Sequence, residues 1–291
     1  MSNVLAREVL PRLERPALRF VTSPGWSRRI GLLGVVAIVL IALIGPLVSP
    51  YGADAQNLAA TLQHPSWQHP FGTDQFGRDI LTRVMAAARV DLQIGFFGVT
   101  IPLVIGTVIG LLAGYFGGLL DIVSGRLIDV FTAFPFFVLV IAIVAMLGPG
   151  LRNLYIAISA VSWVAYARLV RAETLSAKKR EYVLAAHGLG YGSVRIMRRH
   201  LLSNVVSPAL VFAMSDFVLD ILVGASIGFF GLGVQPPAAE WGTMIADGRD
   251  FLITDPWLVI FPGLAIVVLG FFVSLLGDGL ADYIRRVDAG V

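Results

Sequence analysis

Six runs of apolar positions, 17 to 30 residues long, alternate with polar, turn-rich stretches along the 291 residues of the chain. They cover residues 30–48, 92–116, 127–147, 154–170, 205–234 and 257–276. A helix needs about 20 residues to cross a hydrocarbon core of about 30 Å, so the pattern predicts an all-α polytopic membrane protein with six transmembrane helices. The fourth run is the shortest and carries Arg168 near its end. Ahead of the first run, residues 1–29 form a polar arm in which Pro11, Pro16 and Pro24 prevent one long helix. The first helix takes residues 30–50, a polar loop follows over 51–91, the membrane core fills 92–285, and 286–291 form a short tail. No segment is a soluble domain able to bury its own core.

Composition agrees with this: 57% of residues are hydrophobic, 14% are charged and the mean hydropathy is +0.81, against about 45–50% apolar usage in soluble domains. Charge then sets the orientation, because cytoplasmic loops hold the excess of Lys and Arg. With the N-terminus inside, 17 of the 22 basic residues fall in the arm, at Arg126, in 168–204 and at Arg285 and Arg286. Arg78, Arg83, Arg89, Arg152 and Arg249 fall outside. Both termini are therefore expected in the cytoplasm, with the loop over 51–91 outside, and the net charge of +3 reflects topology, with no nucleic-acid partner. The arginines of the arm suit anionic lipid headgroups. A cleavable leader is disfavoured by the long polar arm and by the lack of a small-residue cleavage site after the first run. With no cysteine, neither disulfides nor thiolate metal sites are available.

Several positions break the apolar pattern. Gly106, Gly110, Gly114 and Gly118 recur every four residues and line one helix face for close approach by another helix. That neighbour is either the same subunit or a partner subunit, and spacing does not assign it. Asp216 and Asp220 share a face in the fifth run, where a charge at mid-membrane costs at least about 2.5 kcal/mol. They are candidates to line a wet pathway, unless the helix starts later and Asp216 lies at the surface. In the charged stretch "KKREYVLAAHGLGYG", Tyr182, Ala185, Ala186 and Leu189 form a small apolar stripe at helical spacing, ended by Gly188 and Gly190. It suits docking to protein or lying flat on lipid.

Motifs of covalent chemistry are missing or misplaced. No G-x-x-x-x-G-K-[ST] phosphate loop exists, so nucleotide hydrolysis would have to come from a partner. "GASIG" around Ser226 fits a nucleophile elbow, but that elbow needs a strand-to-helix turn and here it sits in an apolar helix. "HPSWQHP" carries His64 and His69, too few ligands for a metal site.

The segment "EYVLAAHGLGYGSVRIMRRHLLSN" resembles the EAA loop of ATP-binding cassette importer permeases, with Glu181, Ala185, Ala186, Gly190 and Ile196 in register. The resemblance extends over about residues 66–285 through "HPFGTDQFGRDILTRV", "AGYFGGLLDIVSGRLIDVFTAFP", "FFGLGVQPPAAEWGTMIADGR" and "LLGDGLADYI". These are similar to the second permease subunit of dipeptide, oligopeptide and nickel importers. The resemblance implies a type I ABC importer transmembrane domain in the bacterial inner membrane. It implies three kinds of partner besides lipid: a second homologous permease, two ABC ATPases and an extracytoplasmic solute-binding protein. It further implies that Glu181, Tyr182, Ala185, Ala186, Gly190 and Ile196, within a coupling loop over about 178–204, meet the ATPase. ATP and Mg would be bound by the ATPases, with no cofactor and no metal in this chain. Ser203 stands where the family usually has proline, Gly224 where it tends to have an acid, and Asp216 and Asp220 where it has small or apolar residues.

The expected function is thus a non-enzymatic permease subunit of a peptide importer. A nickel or other small-solute importer of the same family is the alternative. A lone ion-coupled transporter using Asp216 and Asp220 explains the acids but not the charged loop.

Overall fold

The computed structural model describes residues 24–288. The arm expected over 1–29 thus lies outside the described residues up to residue 23, as do tail residues 289–291. Among the described residues every regular element is helical, with one isolated β-bridge between Thr73 and Asp79. In chain order the helices are α1 (Pro24–Val48), α2 (Ile80–Phe116), α3 (Gly118–Thr132), α4 (Phe136–Leu147), α5 (Leu151–Ala177), α6 (Glu181–Gly188), α7 (Ser193–Ile196), α8 (Leu202–Phe229), α9 (Trp241–Gly248) and α10 (Trp257–Asp288). A π-helical turn, Met197–Leu201, joins α7 to α8. Five helical spans, in α1, α2, α5, α7–α8 and α10, are long and apolar enough to cross a membrane, and six if α3 and α4 count as one.

Helix α2 begins at Ile80, well before the apolar run at 92, so the polar loop is shorter than expected. Its start is set by Asp79, whose Oδ2 accepts from the Thr82 backbone N–H at 2.8 Å and from the Thr82 hydroxyl at 2.7 Å. The basic residues of its first turns are satisfied from elsewhere: Arg83 donates to the Ala53 carbonyl at 3.0 Å, and Arg89 reaches α1. There Pro46 has no N–H for the Ala42 carbonyl four residues back. Arg89 Nε donates to that carbonyl at 2.5 Å and Nη2 to the Leu43 carbonyl at 2.6 Å. A cation on one helix thus repairs a proline defect in the next.

The centre of the bundle is the pair α2 and α5. A Cβ on Gly106 would meet Tyr166 Cβ at 2.5 Å, one on Gly110 the Ala167 carbonyl oxygen at 2.5 Å, and one on Gly114 Thr174 Cβ at 2.7 Å. The glycine face offered to a partner subunit is therefore filled by α5 of the same chain. Gly118 is not on that face. It opens α3 after a sharp turn at Gly117, where φ is +66°, and nothing lies near its missing side chain.

The crossing expected over 127–147 is two helices meeting at 87°. Pro135 lacks the N–H that would continue α3 and biases Phe134 away from helical geometry. With 15 and 12 residues, α3 and α4 extend about 22 and 18 Å, so neither crosses alone. The fifth crossing ends at Phe229, short of 234, and α10 runs past 276 to Asp288. The Arg28 guanidinium lies 4.9 Å from the Tyr283 ring centroid, so the two ends of the described chain are neighbours.

Candidate functional site

Two sites stand out on the bundle: the charged loop at one end, and a cleft between α5 and α8.

In the loop, α6 rests on its own chain. Val183 and Ala186 are buried against Ile196, Met197, Leu201 and Val205. Glu181, Tyr182, Leu184, Ala185 and Leu189 are exposed. The expected stripe of Tyr182, Ala185, Ala186 and Leu189 is therefore divided: Ala186 turns inward with Ile196 beneath it, while Ala185 faces out. An eight-residue helix buries positions three apart, here 183 and 186, and shows the rest. Leu184, 57% exposed, was missing from the expected set. Gly190 closes the helix at φ +76°, with its N–H bonded to the His187 carbonyl and that of Tyr191 to the Ala186 carbonyl. This Schellman turn requires the left-handed region, which glycine enters without a Cβ clash.

The loop is tied to three long helices. Lys178 Nζ donates to the Gly114 carbonyl of α2 at 2.8 Å, and Tyr115 Oη lies 3.3 Å from His187 Nε2 with the rings stacked. Asn204 Nδ2 of α8 donates to Tyr182 Oη at 2.7 Å. Helix α5 runs directly into the loop.

The cleft, about 410 Å³, is walled by the α3–α4 elbow, α5 and α8. Both acids singled out in the fifth run line it: Asp216, whose Oδ2 accepts from Tyr166 Oη at 2.8 Å, and Asp220. Asp220 is 1% exposed, and neither of its carboxylate oxygens has a hydrogen-bond partner among the described residues. Gly98 of α2 makes room for it, since a Cβ there would lie 2.5 Å from Asp220 Oδ2. Ser162 Oγ, also in the cleft wall, is buried and unpartnered. Ser159, Ser162 and Tyr166 recur at i, i+3 and i+7 in α5, a polar stripe that was available in the sequence.

At the other end, buried polar groups anchor the loops. Asp74 Oδ2 accepts from Arg78 Nε at 2.6 Å, and Arg78 and Arg83 line a second cavity of about 350 Å³ with Asp247 and Arg249. Glu240 caps α9, accepting from the Gly242 and Thr243 N–H groups at 2.7 and 2.8 Å, while Asp91 accepts from the Trp241 N–H at 3.2 Å. Burial pushes the Glu240 carboxyl above its ordinary range, against the pull of those two N–H groups. Of the two histidines in "HPSWQHP", His69 Nδ1 bonds Asp79 Oδ1 at 2.9 Å and His64 packs on the Trp257 ring. No group of three metal-ligating side chains occurs among the described residues. Ser226 donates to the Leu222 carbonyl within α8 at 2.7 Å, so its hydroxyl is bound within a helix and not presented on an elbow.

Comparison with known proteins completes the picture. Residues 106–286 match the family described as binding-protein-dependent transport system inner membrane component, and residues 28–65 match the N-terminal TM domain of oligopeptide transport permease C. A dipeptide transport system permease protein of Alkalihalophilus pseudofirmus is 45% identical, covering 87% of this chain and 83% of that one. A di/tripeptide permease of Pseudomonas aeruginosa is 43% identical over 87% and 85%. A nickel transport system permease of Escherichia coli K12 is 40% identical over 92% and 96%. Among solved structures, one of an amino acid ABC transporter with histidines superposes with a TM-score of 0.51 at 18% identity, covering 70% of this chain and 94% of that one, a likeness of fold alone. With a family match over more than half its length and such relatives over most of it, the chain belongs to the binding-protein-dependent transport system inner membrane components, among the dipeptide, oligopeptide and nickel permeases.

Proposed function

We propose that this chain is one permease subunit of an ATP-driven importer of short peptides, working with a second permease, two ATPases that bind ATP and Mg, and an extracytoplasmic solute-binding protein. Both termini and the loop over 178–204 lie in the cytoplasm of a bacterial cell, where 17 of the 22 basic residues then fall. The chain itself performs no hydrolysis.

The observation that carries this reading is the build of α6. Its outer face offers Leu184, Ala185 and Leu189 beside Glu181 and Tyr182, a small and partly apolar surface for a groove on an ATPase. Its inner face, through Ala186 and Ile196, is locked into the loop. A push on α6 therefore reaches α2, α5 and α8 through Lys178, His187 and Tyr182. ATP binding in the ATPases would draw the two coupling helices of the complex together and shift the pathway from inward-open to outward-open, and hydrolysis would reset it. Gly190 holds the turn that keeps α6 in place.

The test is extraction of the complex in mild detergent, identification of its chains by mass spectrometry, and ATP-dependent uptake of labelled dipeptides after reconstitution. Copurifying ATPases and peptide uptake are expected; a stable lone chain, or uptake abolished by an uncoupler at constant ATP, refutes the reading. The 40% identity to a nickel permease favours a nickel complex or another small solute as the second reading. Uptake of labelled nickel without peptide uptake would select it.

A further inference from the structure

We propose that Asp216 and Asp220 form a transit site for the ammonium group of a zwitterionic cargo, a short free peptide, with Ser162 completing the ammonium's hydrogen bonds and Arg168 receiving the carboxylate. This rests on the importer reading above and adds the chemistry by which the membrane pathway holds what passes through it.

The site is built but incomplete. Tyr166 satisfies one oxygen of Asp216. Asp220, 1% exposed, has both oxygens without a partner, and Ser162 Oγ is likewise unpartnered and buried at 5% exposure. All three residues line one cleft. Leaving a buried polar group unsatisfied costs about 1–3 kcal/mol, and more when it is charged, so these atoms call for a donor that carries positive charge. An ammonium group supplies three N–H donors and one positive charge in a compact head. The two carboxylates sit one turn apart on the same face of α8 and both line the cleft, Asp220 in the space left by Gly98 of α2.

The rest of the cleft fits the remainder of a zwitterion. Arg168 lines it and is exposed. It follows Ser162 by six residues on α5, about 9 Å along the axis. An extended dipeptide spans about 7 Å, and the long arginine side chain covers the difference. Facing these charges, Phe131, Phe134 and Phe136 of the α3–α4 elbow form an apolar wall that accepts side chains without selecting among them. Charged ends recognised and side chains merely accommodated is the arrangement a carrier of many short peptides needs.

The experiment uses the whole complex with its partner subunits. Uptake of labelled L-alanyl-L-alanine by wild-type proteoliposomes tests the importer reading by itself, and its absence refutes that reading. Given uptake, Asp220→Asn is expected to lower the maximal rate about tenfold or more, while the concentration of loaded binding protein at half-maximal rate changes by no more than about twofold. An unchanged maximal rate overturns the site and leaves the importer reading standing. Calorimetric titration of the wild-type complex without binding protein gives a second measurement. Alanyl-alanine should bind, and N-acetyl-alanyl-alanine, which lacks the ammonium, should bind about tenfold more weakly or worse. Equal binding of the two, no binding of either, or displacement by sodium chloride at matched ionic strength overturns the proposal, the last result marking an inorganic cation site. Should Asp220→Asn fail to copurify with its partners, the wild-type titration decides alone.

Discussion

Adjacent residues of α6 separate docking from folding. Ala186 is 3% exposed and packed with Val183, Ile196 and Met197, whereas Ala185 faces outward. In Ala186→Glu a carboxylate enters that apolar contact, at several kcal/mol for desolvating the charge and about 1–3 kcal/mol for overpacking. A cost of about 4 kcal/mol or more exceeds what a helix of eight residues holds alone, so the loop opens locally. Ala185→Glu leaves the packing intact and should change loop stability by no more than about 0.5 kcal/mol. Hydrogen exchange measures both. The Gly190 and Tyr191 amides, which close α6, should exchange about 100-fold to 1,000-fold faster in Ala186→Glu and within about threefold of wild type in Ala185→Glu. ATPase copurification and ATP-driven uptake should nevertheless fall in both. Unchanged exchange in Ala186→Glu refutes the inward placement, and wild-type copurification and uptake in Ala185→Glu refute docking through the outer face.

Arg89→Ala should destabilise the protein by about 3 kcal/mol through the orphaned Ala42 carbonyl, and Pro46→Ala, which restores a backbone donor to that carbonyl, should recover about 1–3 kcal/mol of the loss. Additive effects in thermal melts of the four proteins would refute the repair of the proline defect by Arg89. Gly110→Leu should cost more than about 3 kcal/mol or prevent folding, because even its Cβ meets the Ala167 carbonyl oxygen at 2.5 Å and the Arg171 amide nitrogen at 2.9 Å, both backbone atoms. A wild-type melting temperature would show the seam to be loose. For Glu240 the folded state favours the protonated acid, so its contribution is fully present below the ordinary carboxyl pKa near 4.5 and is lost as pH rises through the raised value. Melting temperature should decline with pH over that range in the wild type and less in Glu240→Gln, and parallel curves would refute the assignment.

The long helices were legible because about 20 apolar residues in a row have few other uses. Their ends were not, because the partners that allow polar residues into the helix are remote in sequence: the carbonyls that receive Arg89 are 46 and 47 positions away. The elbow had its signal in Pro135, but apolar residues on both sides make one continuous run of hydropathy across the break. In α6, alanines stand on both candidate faces, so a 3.6-residue period is satisfied by either, and only contact with Ile196 and Met197 selects the inward one. Asp216 and Asp220 were visible as acids in an apolar run. Tyr166 and Ser162, which give them a setting, form a polar stripe with Ser159 at helical spacing, but the stripe does not name its neighbour until α5 is placed against α8.

The same two helices connect the loop to the cleft. Helix α5 carries Ser162, Tyr166 and Arg168 and runs into α6; α8 carries Asp216 and Asp220 and begins beside Asn204, which holds Tyr182. The bond between Tyr166 and Asp216 joins them at the cleft. A load on α6 therefore has two routes to the acids, through the turn at 178–180 into α5 and through the π-helical turn into α8, which carries Pro208 on the way. Helix α2 is no hinge, because backbone-to-backbone contact along its glycines fixes it to α5. The remaining wall is the α3–α4 elbow, broken at Pro135 and held to α5 by the ion pair of Asp121 with Arg171, by Ile128 and Phe131 on Trp163, and by Val140 and Val144 in the core with Ala157 and Ile158. On the importer reading proposed above, opening and closing of the cleft falls to motion of α5 and α8 against that elbow.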